Sequence, residues 1–155
     1  MKKLNLPAFD ATIKQEDGQN KILDVVRRRY VALTPEEWVR QHVIHYFHYF
    51  LGVPYTLMAV EKGFRVGQLQ KRFDVAVYTR AGKAVMLVEC KAPGVPIKQE
   101  VFDQIARYNL EMQVDYLFLT NGMTHYGGRM DYHNQTFRFI ENLPEYAQMT
   151  EEHNA

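Results

Sequence analysis

Two acidic residues and a lysine border apolar runs whose composition is typical of buried strands. Asp74 directly precedes the run 75–78, and Glu89 and Lys91 follow the run 84–88. A buried carboxylate is costly unless a positive charge compensates it. Two converging carboxylates suit Mg²⁺ or Mn²⁺, which keeps its other positions for water and a phosphate oxygen. The pattern predicts a site for phosphodiester hydrolysis, with Asp74 and Glu89 as metal ligands and Lys91 as the catalytic cation.

The register of the predicted hairpin brings these acids together. A turn over residues 80–83 predicts three cross-strand pairs: Tyr78 with Val85, Ala76 with Leu87, and Asp74 with Glu89. The two acidic Cβ atoms would then lie about 5 Å apart, with Lys91 projecting from the same face two residues further on. Like charges placed opposite each other are destabilising, which favours a shared cation. The alternative is a pair of ordinary salt bridges to Arg72 and Lys91.

The first half of the chain predicts a hairpin and a helix. Residues 11–26 alternate around Asp17-Gly18, a dipeptide typical of tight hairpin turns. A helix should begin after Thr34 as N-cap and end at Gly52, with Glu37 at the capping-box position. Its three histidines, at steps of three residues, face different ways, so we expect them at the helix edge and not on a zinc ion. The run Arg27 to Arg29 could dock phosphates or simply keep a strand edge soluble.

The second half predicts the rest of a mixed sheet. A strand over 55–64 and a basic link over 68–72 precede the acidic hairpin. A helix over 97–112 follows, with an apolar stripe of Val101, Ile105, Tyr108, Leu110 and Met112. A buried strand over 114–122, a last strand over 135–143 and a short helical tail complete the chain. The fold class is therefore α/β, a mixed central sheet flanked by helices, with an N-terminal β-hairpin.

These motifs resemble the PD-(D/E)xK nuclease superfamily. Asp74 on one strand and Glu89-Cys90-Lys91 on the next are similar to its signature, and Gln104 and Tyr108 resemble the Q-x-x-x-Y motif of a subset. That subset includes the N-terminal nuclease domain of type I restriction enzyme R subunits. The resemblance covers roughly residues 28–122. It implies a restriction-endonuclease-like αβββαβ core over about 28–141, within one domain spanning 1–155.

The resemblance also implies residue roles beyond the acids and the lysine. Gln104 and Tyr108 join the catalytic set, either contacting the DNA backbone or bracing Lys91; a half-buried polar pair is the equal alternative. Arg72 is a further candidate DNA contact. The superfamily often supplies another acid from its first helix, which implies Glu36 or Glu37 as an additional metal ligand, and we favour Glu37. Glu37 could equally serve only the capping box with Thr34.

Composition bounds the class of protein. The 155 residues carry 19 basic and 18 acidic side chains, so a strongly basic nucleic-acid binder is excluded and DNA contacts must come from a local patch. One cysteine fits the reducing cytoplasm, and neither a signal peptide nor a membrane-spanning run is recognisable. We expect a cytoplasmic Mg²⁺- or Mn²⁺-dependent deoxyribonuclease of a DNA-defence system. The alternative is a non-cleaving module that binds nucleic acid or protein.

The resemblance to R subunits also implies partners. R subunits carry helicase motor domains after the nuclease, and 155 residues leave no room for them. We therefore expect DNA as substrate and a separate translocase or restriction-modification subunit as partner. A homodimer is the other way to extend the DNA contact. No membrane partner is expected.

Overall fold

The computed structural model describes residues 1–151, apart from the side chain of Val66. The strands are β1 (Ile13–Glu16), β2 (Gln19–Asp24), β3 (Arg29–Ala32), β4 (Met58–Val66), β5 (Leu69–Tyr78), β6 (Ala84–Cys90), β7 (Tyr116–Thr120), β8 (His125–Asp131) and β9 (Thr136–Ile140). The helices are α1 (Pro35–Leu51), a 3₁₀ turn (Tyr55–Leu57), α2 (Gln99–Met112) and α3 (Tyr146–Met149). None of the described helices is long and apolar enough to cross a membrane.

Two sheets organise these elements. A three-stranded antiparallel sheet has the order β1-β2-β3, and a six-stranded sheet has the order β4-β5-β6-β7-β8-β9. Only the β6–β7 pair of the larger sheet is parallel, so the mixed sheet expected from the sequence is confirmed. The hairpin turn at Asp17-Gly18 is also confirmed, and β3 extends the hairpin into a sheet.

One helix covers each face of the larger sheet. Val43, Ile44 and Phe47 of α1 belong to one buried cluster, together with Val75 and Val88 of the sheet. A second buried cluster joins α2 to the opposite face through Phe73, Ala76, Leu87 and Leu117. Strand β7 contributes to both clusters and all five of its residues are buried, which explains its nearly continuous apolar sequence.

Helix α1 begins and ends where its sequence signals lie. The Thr34 hydroxyl accepts a hydrogen bond from the Glu37 N–H at 3.0 Å, Pro35 is the first helical residue, and Gly52 closes the helix at φ 75°. The left-handed conformation of Gly52 explains the choice of glycine there. The capping box is only half formed, because the Glu37 carboxylate turns instead to Arg27, Arg40 and Gln41.

The turn between β5 and β6 differs from the prediction by one residue. The Thr79 N–H donates to Lys83 O at 2.7 Å, which leaves a three-residue loop with Gly82 at φ 88°. A bulge then restores the register: Tyr78 pairs with Ala84, Val77 pairs with Met86, and Val85 is the extra residue. The predicted pair Tyr78–Val85 is therefore wrong. The predicted pair Ala76–Leu87 is correct, because the two shifts cancel. The β5–β6 pairing ends at Val75–Val88, one pair short of the predicted Asp74–Glu89 pair.

Three further expectations need correction. Residues 69–72 of the supposed basic link belong to β5, and β8 has no counterpart in the sequence reading. The buried face of α2 consists of Phe102, Ile105, Ala106 and Asn109, so the predicted stripe misses its largest member, Phe102. Phe102 packs on β8, where a side chain at Gly128 would lie 2.6 Å from the Phe102 ring. The glycines that permit this packing also weaken the strand signal of β8.

Candidate active site

The regular alternation of side chains along β5 is interrupted at Asp74. Phe73 packs on the α2 side of the sheet and Val75 on the α1 side, although a regular strand would place both on one face. The opposite residue of β4, Glu61, has a left-handed backbone with φ 55°, between the regular pairs Val60–Val75 and Lys62–Phe73. This local distortion points the Asp74 side chain toward the end of β6.

The Asp74 carboxylate holds two donors from different elements. Oδ2 accepts from the backbone N–H of Cys90 at 2.7 Å, and Oδ1 accepts from Nη1 of Arg40 at 3.2 Å. The pKa of Asp74 is raised to about 6, because burial and the charges of Glu89 and Glu36 outweigh the opposing contacts from the Cys90 N–H and Arg40. The carboxylate is thus incompletely compensated despite its ion pair.

Glu89 and Lys91 lie at the same end of the sheet. Glu89 is buried in β6 and accepts from Nζ of Lys71 at 3.0 Å. Lys91 directly follows β6 and is anchored by its backbone N–H, which donates to Thr120 O at 2.8 Å. Among residues 1–151, the half-buried Lys91 ammonium forms no hydrogen bond and no ion pair. Neither acid pairs with the cations considered in the sequence analysis; Arg40 and Lys71 take those places.

Glu37 is enclosed by cations. Its Oε1 accepts from Nη2 of Arg27 at 2.7 Å and from Nη2 of Arg40 at 2.6 Å. Its Oε2 accepts from Nε of Arg40 and Nε2 of Gln41. Burial alone would raise the pKa of Glu37, but the bonds from Arg40 and Gln41 outweigh it and lower the pKa to about 2. Glu37 is therefore linked to Asp74 through their shared partner Arg40.

The chain of ion pairs continues away from the sheet. Arg27 also pairs with the fully buried carboxylate of Asp24, which caps the turn after β2 by accepting from the Val26 N–H at 2.8 Å. Arg27 is thus an internal link between the small sheet and α1, not part of an exposed strip. Arg28 and Arg29 are exposed.

The donor chemistry of the two acids fits a divalent cation. Carboxylate oxygens are hard ligands, and Mg²⁺ is commonly held by one or two carboxylates with water completing the shell. The raised pKa of Asp74 marks negative charge that a cation would stabilise. Among the described residues, no group of three or more His, Cys, Asp or Glu could hold a metal. A metal at Asp74 and Glu89 would therefore rely on water and compete with Arg40 and Lys71.

Gln104 and Tyr108 lie on α2 at a distinct cleft. With Leu69, Arg107 and Glu111 they line an open depression of about 490 Å³ at the start of β5. Gln104 is exposed and Tyr108 is half-buried. Arg72 is exposed on β5, two residues before Asp74.

The histidines of α1 are packed more deeply than expected. His42 and His45 are buried, and the Phe9 ring of the N-terminal segment stacks on His45 with a centroid distance of 4.2 Å. Burial lowers the pKa of both imidazoles. Cys90 is buried among the residues on the α1 side and acts as core filler.

The sequence reasoning missed Arg40 and Lys71. Arg40 lies three residues after Glu37, the spacing of neighbours on one helix face, so the Glu37–Arg40 pair had a local signal. Its contact with Asp74 spans 34 residues and had none. The sequence pattern predicts a link at Lys71, whereas the structure places Lys71 on the same strand as Asp74.

Comparisons with known proteins identify the family of the chain. Residues 35–144, more than half of the chain, match the family described as type I restriction enzyme R protein N terminus (HSDR_N). A solved fragment from Vibrio vulnificus YJ016, which carries the description of a type I restriction enzyme HsdR subunit, matches 61% of this chain at 20% identity and TM-score 0.43. The match spans 20% of that chain. No curated protein matches. The chain belongs to the family of type I restriction enzyme R protein N-terminal regions.

Proposed function

We propose that this chain is a PD-(D/E)xK-type nuclease domain that hydrolyses DNA phosphodiester bonds with Mg²⁺ or Mn²⁺ in a type I restriction system. The observation that carries the proposal is the incompletely compensated Asp74 carboxylate beside buried Glu89, with Lys91 at the same strand end. Membership of the R protein family supports the restriction role.

Each residue has a proposed role at the phosphate. Asp74 and Glu89 would hold the cation, and the Cys90 N–H and Arg40 orient Asp74. A bound divalent cation supplies positive charge to the phosphate and acidifies a water. Lys91 would orient that water or neutralise charge that develops on the phosphate in the transition state. Its anchored backbone and uncommitted ammonium suit either task.

The proposed partners follow from the family. DNA is the substrate, and a separate translocase or restriction-modification subunit would bring this domain to it. A homodimer is the other arrangement that would add DNA contacts. We place this assembly in the cytoplasm, in keeping with the single reduced cysteine.

The activity can be tested by plasmid nicking with Mg²⁺ and Mn²⁺. We expect slow cutting without clear sequence preference, because phosphate contacts alone carry no sequence information. Lys91→Ala should lower the cutting rate by roughly 10²–10⁴-fold while Mn²⁺ binding persists. Lys98→Ala, which removes an exposed lysine at the N-cap of α2, is the matched control. If Lys91→Ala cuts as fast as the parent, Lys91 is not the catalytic cation.

A second candidate function is a binding module that does not cut. The observation favouring it is that both acids already have internal counter-ions, Arg40 for Asp74 and Lys71 for Glu89. Such pairs could stabilise the acids without any metal. DNA binding that persists with no metal-dependent cutting, under conditions where Mn²⁺ is in large excess, would favour this function over hydrolysis.

A further inference from the structure

We propose that the outer half of the β4–β5 hairpin, residues 62–72 and hereafter the arm, binds duplex DNA and delivers its backbone to Asp74 and Glu89. The proposal deepens the proposed function by assigning the surface that holds the substrate. It rests on three observations: the charge of the arm, the face that the arm leaves exposed, and its connection to the two acids.

The arm is positively charged in a chain that is otherwise balanced. It carries Lys62, Arg65, Lys71 and Arg72 and no acidic residue, whereas the whole chain has 19 basic and 18 acidic side chains. Lys71 is paired with Glu89, which leaves the other three cations of the arm for phosphate. A local excess of this kind supplies phosphate contacts without a high net charge.

One face of the arm is directed away from α2. Phe64 pairs with Lys71 and packs with the α2-side cluster, so side chains of alternate residues point to the other side. On that side Gly63 pairs with Arg72 and Arg65 with Gln70, and all of these residues are exposed. Diagonal neighbours on a sheet lie about 7–8 Å apart, so Arg65 and Arg72 form a paired cationic surface. Arg65 Nε also donates to Gly67 O at 3.3 Å, which holds its side chain against the turn.

The arm leads directly into the candidate active site. Lys71 of the arm contacts Glu89 at 3.0 Å, and Asp74 follows Arg72 by two residues on the same strand. A two-stranded ribbon is narrow enough to enter the major groove of B-DNA, which is about 12 Å wide. Phosphates held by Arg72 would therefore lie close to the two acids. Duplex DNA is the partner that a cationic ribbon leading to a phosphodiester site fits best.

The cleft on α2 lies beside the arm and adds polar groups. Leu69 of the arm lines it together with Gln104, Arg107 and Tyr108. A ribbon in the major groove has a DNA strand on either side, so these side chains would face the strand on the α2 side while Arg65 and Arg72 face the other. This placement gives Gln104 and Tyr108 a DNA-facing role that does not require them to touch Lys91.

The test is a binding titration in EDTA, which separates binding from cutting. A fluorescein-labelled 30-base-pair duplex is titrated with the full chain at several salt concentrations, and anisotropy is recorded. The double variant Arg65→Gln/Arg72→Gln should lower the slope of log K against log salt by about 2 and weaken binding about tenfold or more at 0.1 M salt. A second, unrelated duplex should give the same loss, because phosphate contacts are independent of sequence.

The matched control is Arg80→Gln/Lys83→Gln, which removes two exposed charges. These residues lie at the β5–β6 turn, at the end of β5 that is opposite to the arm. Equal losses in both double variants, an unchanged slope in the arm variant, or no binding by the parent would each overturn the proposal. Melting temperatures verify that both variants fold. Arm-dependent binding without any metal-dependent cutting would reject the hydrolase and retain the arm. Metal-dependent cutting with binding that does not depend on the arm would retain the hydrolase and reject the arm as the DNA-binding surface.

Discussion

The carboxylate of Asp74 is less stable ionised in the folded chain than in the unfolded chain. Its pKa rises from 3.8 to about 6, mainly through burial, and the contacts to Arg40 and the Cys90 N–H do not fully offset that cost. The buried Glu37 shows the opposite balance, because direct bonds from two guanidinium groups and an amide overcome its burial. Asp74 and Glu37 both contact Arg40, yet folding raises the pKa of Asp74 and lowers the pKa of Glu37.

We expect Asp74→Asn to stabilise the metal-free protein at pH 8 and to have little effect near pH 4. The folded state binds the Asp74 proton more tightly than the unfolded state, so unfolding free energy falls as pH rises from about 4 through about 6. The shift of about two pKa units corresponds to roughly 3 kcal/mol, less any loss of the Arg40 contact. Urea unfolding in EDTA across pH 4–8 measures the difference.

The control for this series is Asp10→Asn, which changes an exposed acid. An exposed substitution of this kind alters stability by at most about 0.5 kcal/mol at any pH in the range. A parent that is more stable than Asp74→Asn throughout the range would mean that the Arg40 contact outweighs burial. Asp74 would then be a structural ion-pair partner.

At the scale of elements, α2 is positioned by a close approach to β8. Phe102 is fully buried and packs against Phe137 and Phe139 of the neighbouring strand, so its ring has little freedom to move. A methyl group at Gly128 would lie 2.6 Å from the Phe102 ring. The position of α2, and with it that of Gln104 and Tyr108, depends on this glycine.

We expect Gly128→Ala to destabilise the chain by about 1–3 kcal/mol, the usual cost of overpacking a core. Thermal unfolding in EDTA would measure this cost. Gly63→Ala is the control, because a methyl group there meets no atom within 4 Å. A Gly128→Ala protein with the stability of the parent would show that α2 can shift outward without penalty.

At the scale of the whole molecule, metal binding should be linked to global stability. A ligand that binds only the folded arrangement stabilises by about 2.7 kcal/mol at a hundredfold excess over its Kd. We expect Mn²⁺ to give the parent such a gain, and Asp74→Asn to lose most of it. Melting curves with EDTA and with Mn²⁺ measure both proteins.

The same measurement separates a metal site from an internal ion-pair cluster. Asp10→Asn should keep the full gain of the parent, since it lies outside the site. If Mn²⁺ leaves the melting temperature of the parent unchanged, the two acids do not share a metal. Their pairing with Arg40 and Lys71 would then be their resting and functional state.

Features with a local or periodic cause were readable in the sequence. The caps of α1, the Asp17-Gly18 turn, the buried strand β7 and the Ala76–Leu87 pair each depend on residues close together in the chain. The juxtaposition of the two strand ends follows from the same hairpin register. That register was correct at Ala76–Leu87, and only because an extra residue in the turn and a bulge at Val85 offset each other.

The tertiary structure decided what surrounds the two acids. Periodicity assumes a regular strand, so it could not indicate the change of face at Asp74 or the left-handed Glu61 opposite it. Arg40 reaches Asp74 across 34 residues and Lys71 reaches Glu89 across 18, through the packing of α1 and the pairing of strands. Sequence spacing therefore determined that two acids and a lysine share a strand end, whereas their counter-ions depend on long-range packing that local patterns do not encode.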